Sequence, residues 1–180
     1  MKNSFALILL NIFYFNTMTY SNAQSIIPWA KETKLKWSDF KAAPNTEILG
    51  YAQTSYKIEI QPIDVSVDHD NNIQNYESLN VIANFYTNHS WVFKKDYYLL
   101  KHEQLHVDIA GVYAHKMRLE FEKLKKNKIA NFDSYMEVYK NLWAECREIQ
   151  KNYDKETNHG LQVDINNSWI EDISSQLNSI

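Results

Sequence analysis

The sequence predicts an α+β fold, and three observations predict it. Before residue 90, apolar residues alternate at period two, as in Tyr56, Ile58, Ile60 and again in Leu79, Val81, Ala83, Phe85. After Asp96 the period changes to steps of three and four, and it holds through two long runs. Glycine and proline number three each, too few for a repeat of turns or a long linker. Strands first and helices later give a small domain: an N-terminal antiparallel or mixed sheet packed against a long helix, followed by a second long helix and a C-terminal helix.

The elements follow in order. Met1–Ala23 reads as a secretory signal peptide. Lys2 supplies its positive end, Phe5–Phe15 is apolar but short for a bilayer, and Ser21-Asn22-Ala23 offers small residues for cleavage. Residues 24–180 then form a single domain. Trp29–Pro44 is a short segment whose apolar members are Leu35, Trp37 and Phe40. Ile48–Ile63 is strand-like and ends at Pro62. Ile63–Val67 also alternates, and Asp68–Asn72 is a turn. Leu79–Thr87 is a second half-buried strand, and Trp91–Phe93 a short extended piece. Asp96–Lys125 is a long helix with the stripe Tyr98, His102, Leu105, Ile109, Tyr113, Met117, Phe121, Leu124. Asp133–Tyr153 is the second helix, with Ser134-x-x-Glu137 as a capping box, and Ser168–Leu177 the last.

Within the first helix stands His102-Glu103-Gln104-Leu105-His106, an H-E-x-x-H. Residues four apart on a helix lie ~6 Å apart on one face, so both imidazoles can meet one metal ion. Glu103 lies about 100° around from His102 and can reach a water on that ion rather than the ion itself. This is the two-ligand-plus-base arrangement of zinc hydrolases. It implies one Zn2+ per chain with Glu103 as general base.

Composition narrows the partners. The 19 Lys and Arg against 22 Asp and Glu give a net charge of −3, or −4 once Lys2 leaves with the signal peptide. That balance speaks against nucleic acid. Cys146 is the only cysteine, so no internal disulfide forms and the thiol reads as a core residue. No later segment is apolar enough to anchor the chain after signal cleavage.

A catalytic zinc takes three protein ligands and keeps one position open. His115 lies about 180° from His106 around the helix, and Glu120 about 21 Å along it, so neither reaches. Asp108 is about 200° away and reads as structural. No Gly-x-x-His follows at the spacing of the metzincins, since Ile109 and Val112 stand there. Glu145 and Glu148 on the second helix are alternatives. The leading candidate is His159, in Tyr153-Asp154-Lys155-Glu156-Thr157-Asn158-His159-Gly160, because an antiparallel second helix returns the chain to the motif. Asp154, Glu156 and Thr157 are candidates to orient the imidazole, and Tyr153 reads as a core residue, with oxyanion donor as the alternative. His69 and His89 read as surface residues.

These blocks resemble a bacterial secreted family catalogued as domain of unknown function 922. The resemblance rests on Leu35-x-Trp37-x-Asp39-Phe40 with Pro44, Ala52-x-Thr54, Ser90-Trp91-Val92, Leu100 to Ile109, and Tyr153-Asp154-x-Glu156-Thr157-x-His159-Gly160 with Trp169. It implies that the two histidine blocks share one site. The family looks like a member of the zincin-type metallopeptidases, which implies a zincin-like fold with an edge strand beside the metal helix. By that analogy Leu79–Thr87 is the edge strand, and Trp91 either lines a substrate pocket or is a core aromatic. The expectation is an exported, periplasmic or extracellular, zinc-dependent metallopeptidase acting on a peptide or protein substrate. The alternative is a zinc-binding or envelope interaction protein without turnover.

Overall fold

A computed structural model describes residues 26–45, 47 and 50–179. The expected signal peptide lies outside the described residues. The elements are β1 (Ile26–Pro28), β2 (Ala52–Gln53), β3 (Tyr56–Gln61), β4 (Asn80–Tyr86), β5 (Trp91–Val92), α1 (Tyr97–Lys126), α2 (Phe132–Thr157) and α3 (Val163–Asn178), with single 3-10 turns between. The fold is α+β, as the change of period predicts. One antiparallel sheet has the order β1-β4-β3, and a two-stranded ribbon pairs β2 with β5.

α1 is the axis of the domain. Asp96 caps it by accepting from the Tyr98 and Leu99 amides, and Lys123, Lys125 and Lys126 close its C-terminus, where cations oppose the helix dipole. Between Leu99 and Met117 it is buried nearly all round. The sheet covers one side with Ile58, Val81 and Ala83, and α2 and α3 cover another with Tyr135, Cys146, Tyr153, Ile173 and Leu177. A smaller cluster of Leu35, Phe40, Phe85 and Val107 fastens the N-terminal segment on a third. A helix enclosed this way can carry apolar residues beyond one stripe, and polar residues within it need partners.

α1 and α2 are antiparallel and in register. Phe121 meets Tyr135, His106 meets Gln150 and His102 meets Asp154, so the number falls on one helix as it rises on the other. This register sets the functional site.

Several sequence expectations are corrected. Leu79–Thr87 is not the edge strand: β4 is central, because the three-residue β1 pairs along its other side. The described part of Ile48–Ile63, from residue 50 on, splits into β2 and β3, with Thr54 and Ser55 between them, since β2 is held by β5 rather than by the sheet, and residues 48–49 lie outside the described residues. Ile63–Val67 forms no strand beyond a single bridge from Val67 to Ile73. α2 is capped by Asn131, whose side chain accepts from the Ser134 amide, and it runs four residues past Tyr153. α3 starts five residues earlier than its apolar pattern indicates.

Candidate metal centre

His102 and His106 stand one turn apart on α1, both nearly inaccessible. Their Nε2 atoms are 3.2 Å apart. Asp154, on the last turn of α2, brings Oδ1 to 3.1 Å from His102 Nε2 and 3.0 Å from His106 Nε2. These three are a group that can hold a metal ion. The spacing bears on the fit: donors at about 2.0 Å from a tetrahedral ion lie about 3.3 Å from one another. Three donor atoms at 3.0–3.2 Å form the face of such a tetrahedron.

Their supports fix which atoms face inward. Gln150, one turn before Asp154, clamps His106 from both ends. Its Nε2 donates to the His106 carbonyl at 2.8 Å, and its Oε1 faces His106 Nδ1. A proton held on Nδ1 leaves Nε2 as the lone-pair nitrogen. His102 Nδ1 lies 3.5 Å from Thr157 Oγ1, whose own proton goes to the Tyr153 carbonyl at 2.7 Å. The His102 ring stacks on Tyr153, with centroids 4.5 Å apart. On its other side runs the backbone of Gly160, where a Cβ would come within 2.9 Å of His102 Cβ and Cγ. No side chain fits there, and the positive φ of +83° also favours glycine.

The electrostatics are those of a site that wants a cation. Burial pushes the His102 pKa down to about 4, despite the hydrogen bond to Asp154. Burial opposes charge on His106 too, but the hydrogen bond and charge of Asp154, with Glu103 beyond, hold its pKa above the ordinary value. Asp154 is itself partly desolvated, yet the two imidazoles hold its carboxyl well below the usual range. A metal ion among the three donors would balance the Asp154 carboxylate directly.

Glu103 completes the centre. It is buried, its Oε2 has no hydrogen-bond partner among the described residues, and burial raises its pKa. Both histidines, Glu103, Gln150 and Asp154 line a cavity of about 180 Å3, closed on the far side by Ala52, Gln53, Thr54 and Tyr56. Thr54 Oγ1 donates to the Glu103 carbonyl at 3.2 Å, which ties this wall to α1.

The structure places the other expected residues as follows. His159 lines the same cavity, with Nδ1 3.6 Å from Asp154 Oδ1, one step outside the group of three donors. Asp154 and Thr157, read as loop residues, are helical, and Asp154 faces the centre directly. The Tyr153 hydroxyl points into the core, to Asn166 Oδ1, and away from the cavity. Trp91 is buried and reaches the cavity only through Gln53, to whose Oε1 it donates at 2.7 Å. Glu145 and Glu148 are exposed on α2, as are His69 and His89 in their turns. Asp108 accepts from Trp29 Nε1 and Gln104 Nε2, a structural role. Gln150 was not anticipated. Its signal is the spacing Gln150, Asp154, Thr157, polar residues at helical intervals beside an apolar stripe.

No curated protein and no solved structure matches the chain. The blocks from Leu35 to Pro44, at Ala52-x-Thr54 and at Trp169, which also carry the resemblance noted above, lie outside the one matched segment. That segment, residues 87–160, contains every donor of the centre and matches a family model described as bacterial protein of unknown function (DUF922).

Proposed function

We propose that the protein is an exported zinc-dependent hydrolase, a zincin-like metallopeptidase. The observation that carries this reading is the convergence of His102 Nε2, His106 Nε2 and Asp154 Oδ1 beside the unpartnered Oε2 of buried Glu103. Nitrogen and carboxylate donors at tetrahedral spacing suit Zn2+. When bound, zinc supplies Lewis acidity toward a water and a scissile carbonyl. Glu103 takes the proton of the attacking water and returns it to the leaving amine, and its raised pKa suits both transfers. Gln150 and Thr157 hold the imidazoles in one tautomer. β2 pairs on one edge with β5, and its other edge takes an extended peptide alongside Glu103. Export rests on the composition of residues 1–23 and places the protein in the periplasm or the medium.

The test is metal content and peptide hydrolysis of purified protein. Wild type should retain one zinc per chain and cleave a mixed peptide library, and Glu103→Gln should keep the zinc and lose cleavage. Wild type with full zinc and no cleavage would make this a zinc-binding protein without turnover. Asp154→Ala should lose the metal, and His159→Ala should keep it. The reverse order would assign the third ligand to His159.

A further inference from the structure

Beside the cavity at the candidate metal centre lies a second, larger cleft of about 720 Å3, and the two share Tyr56, Asp154 and His159 as lining residues. The wall of this cleft is α2. Arg147, Lys151 and Lys155 line it, at intervals of four residues, so they form one stripe along the helix. From Lys155 to Arg147 the stripe rises about 12 Å, the length of three to four residues of extended chain. All three are exposed. Their company is mostly neutral: Glu148 approaches Lys151 at 3.8 Å, and Asp154 is engaged by the imidazoles. Arg147 rests over Trp143, with the guanidinium 5.6 Å from the ring centroid, and Trp143 meets Tyr56 edge-on at 6.0 Å. Stacking on this aromatic shelf restricts the Arg147 guanidinium while leaving it exposed. The patch is cationic on a chain whose net charge is −3.

We propose that this cleft is a substrate subsite that takes a carboxylate, held by Arg147, Lys151 and Lys155. The substrates are then peptides with an acidic group within about four residues of the bond that is cut. This rests on the hydrolase reading for the word substrate, but the binding itself does not need turnover. The carboxylate has two sources, an Asp or Glu side chain or the free C-terminus of the peptide, and the experiment separates them.

The Glu103→Gln protein, purified in the presence of zinc, is titrated with three fluorescent peptides of one length. One carries two Asp residues and an amidated C-terminus, one has neutral side chains and a free C-terminal carboxylate, and one is neutral and amidated. The expected result is that one or both anionic peptides bind about tenfold more tightly than the neutral one at low salt. That preference should shrink as salt rises and vanish in Arg147→Gln/Lys151→Gln. Preference for the first peptide alone identifies a side-chain carboxylate, and for the second alone a C-terminus. Equal binding of all three, or a preference unchanged in the double variant, overturns the subsite. Zinc is measured in the same samples. Full zinc without preference removes the subsite alone, and preference without zinc removes the hydrolase reading alone.

Discussion

Gly111→Ala is expected to destabilise the protein, against the usual sign. Alanine in a helix interior is favoured over glycine by about 1 kcal/mol. Gly111 lies in the buried middle of α1, where the Trp29 indole rests directly on the helix backbone. A Cβ at 111 would stand 2.3 Å from Trp29 Cε2 and 2.4 Å from Cδ2. Carbon contacts are comfortable only at about 3.5–4.0 Å. α1 is packed on several sides and cannot retreat, so the indole must move. Overpacking of this kind costs about 1–3 kcal/mol. A displaced indole also gives up its 2.9 Å bond to Asp108, leaving a buried carboxylate with Gln104 alone. A hydrogen bond to a charged group contributes about 1.5–3 kcal/mol. Set against the gain in propensity, the net loss is about 1.5–5 kcal/mol. Urea denaturation checks it, as a lower midpoint at unchanged slope. The decisive control is the same substitution in Trp29→Ala. With the indole gone, Gly111→Ala should stabilise by up to about 1 kcal/mol. An equal loss in both backgrounds, or no loss in either, would refute the account.

Gln150→Ala should weaken zinc affinity roughly 10–100-fold in a chelator competition while the fold is kept, because His106 loses the partner that sets its tautomer. His159 occupies the left-handed region at φ +53°, a strained place for a side chain. His159→Gly should therefore raise the melting temperature of the metal-free protein, by an amount corresponding to about 1 kcal/mol. Burial raises the pKa of Asp108, against the hydrogen bonds from Trp29 and Gln104. Its ionisation therefore penalises the fold, fully above the raised pKa and not at all below the ordinary one. Asp108→Asn should be more stable than wild type at about pH 8 and level with it toward about pH 4, read by thermal melts across that range.

The sequence carries most of the helical framework and half of the centre. α1 is legible to within a residue, because its period is long and Asp96 caps it. His102 and His106 need only that helix to converge. Asp154 is harder to read as a donor, since the apolar stripe of α2 stops at Tyr153 and the next turn turns polar where the site begins. A pattern method takes that change for the end of the helix. The centrality of β4 is hidden for another reason: it depends on Ile26–Pro28, three residues whose pairing with Asn84–Tyr86 spans nearly sixty positions and leaves no local pattern. β2 likewise exists only through β5. What local periodicity encodes was readable, and what distant pairing imposes was not.

The candidate donors also have a mechanical meaning if an ion is bound. His106 and Asp154 are 48 positions apart and belong to different helices. An ion between them would close that loop as a covalent crosslink does, in a chain whose one cysteine can form no internal bridge. A crosslink over such a loop removes roughly 4 kcal/mol of entropy from the unfolded chain. Unlike a disulfide, such a clasp would be set by the free concentration of an ion, so the protein's endurance would rise and fall with the metal supply around it.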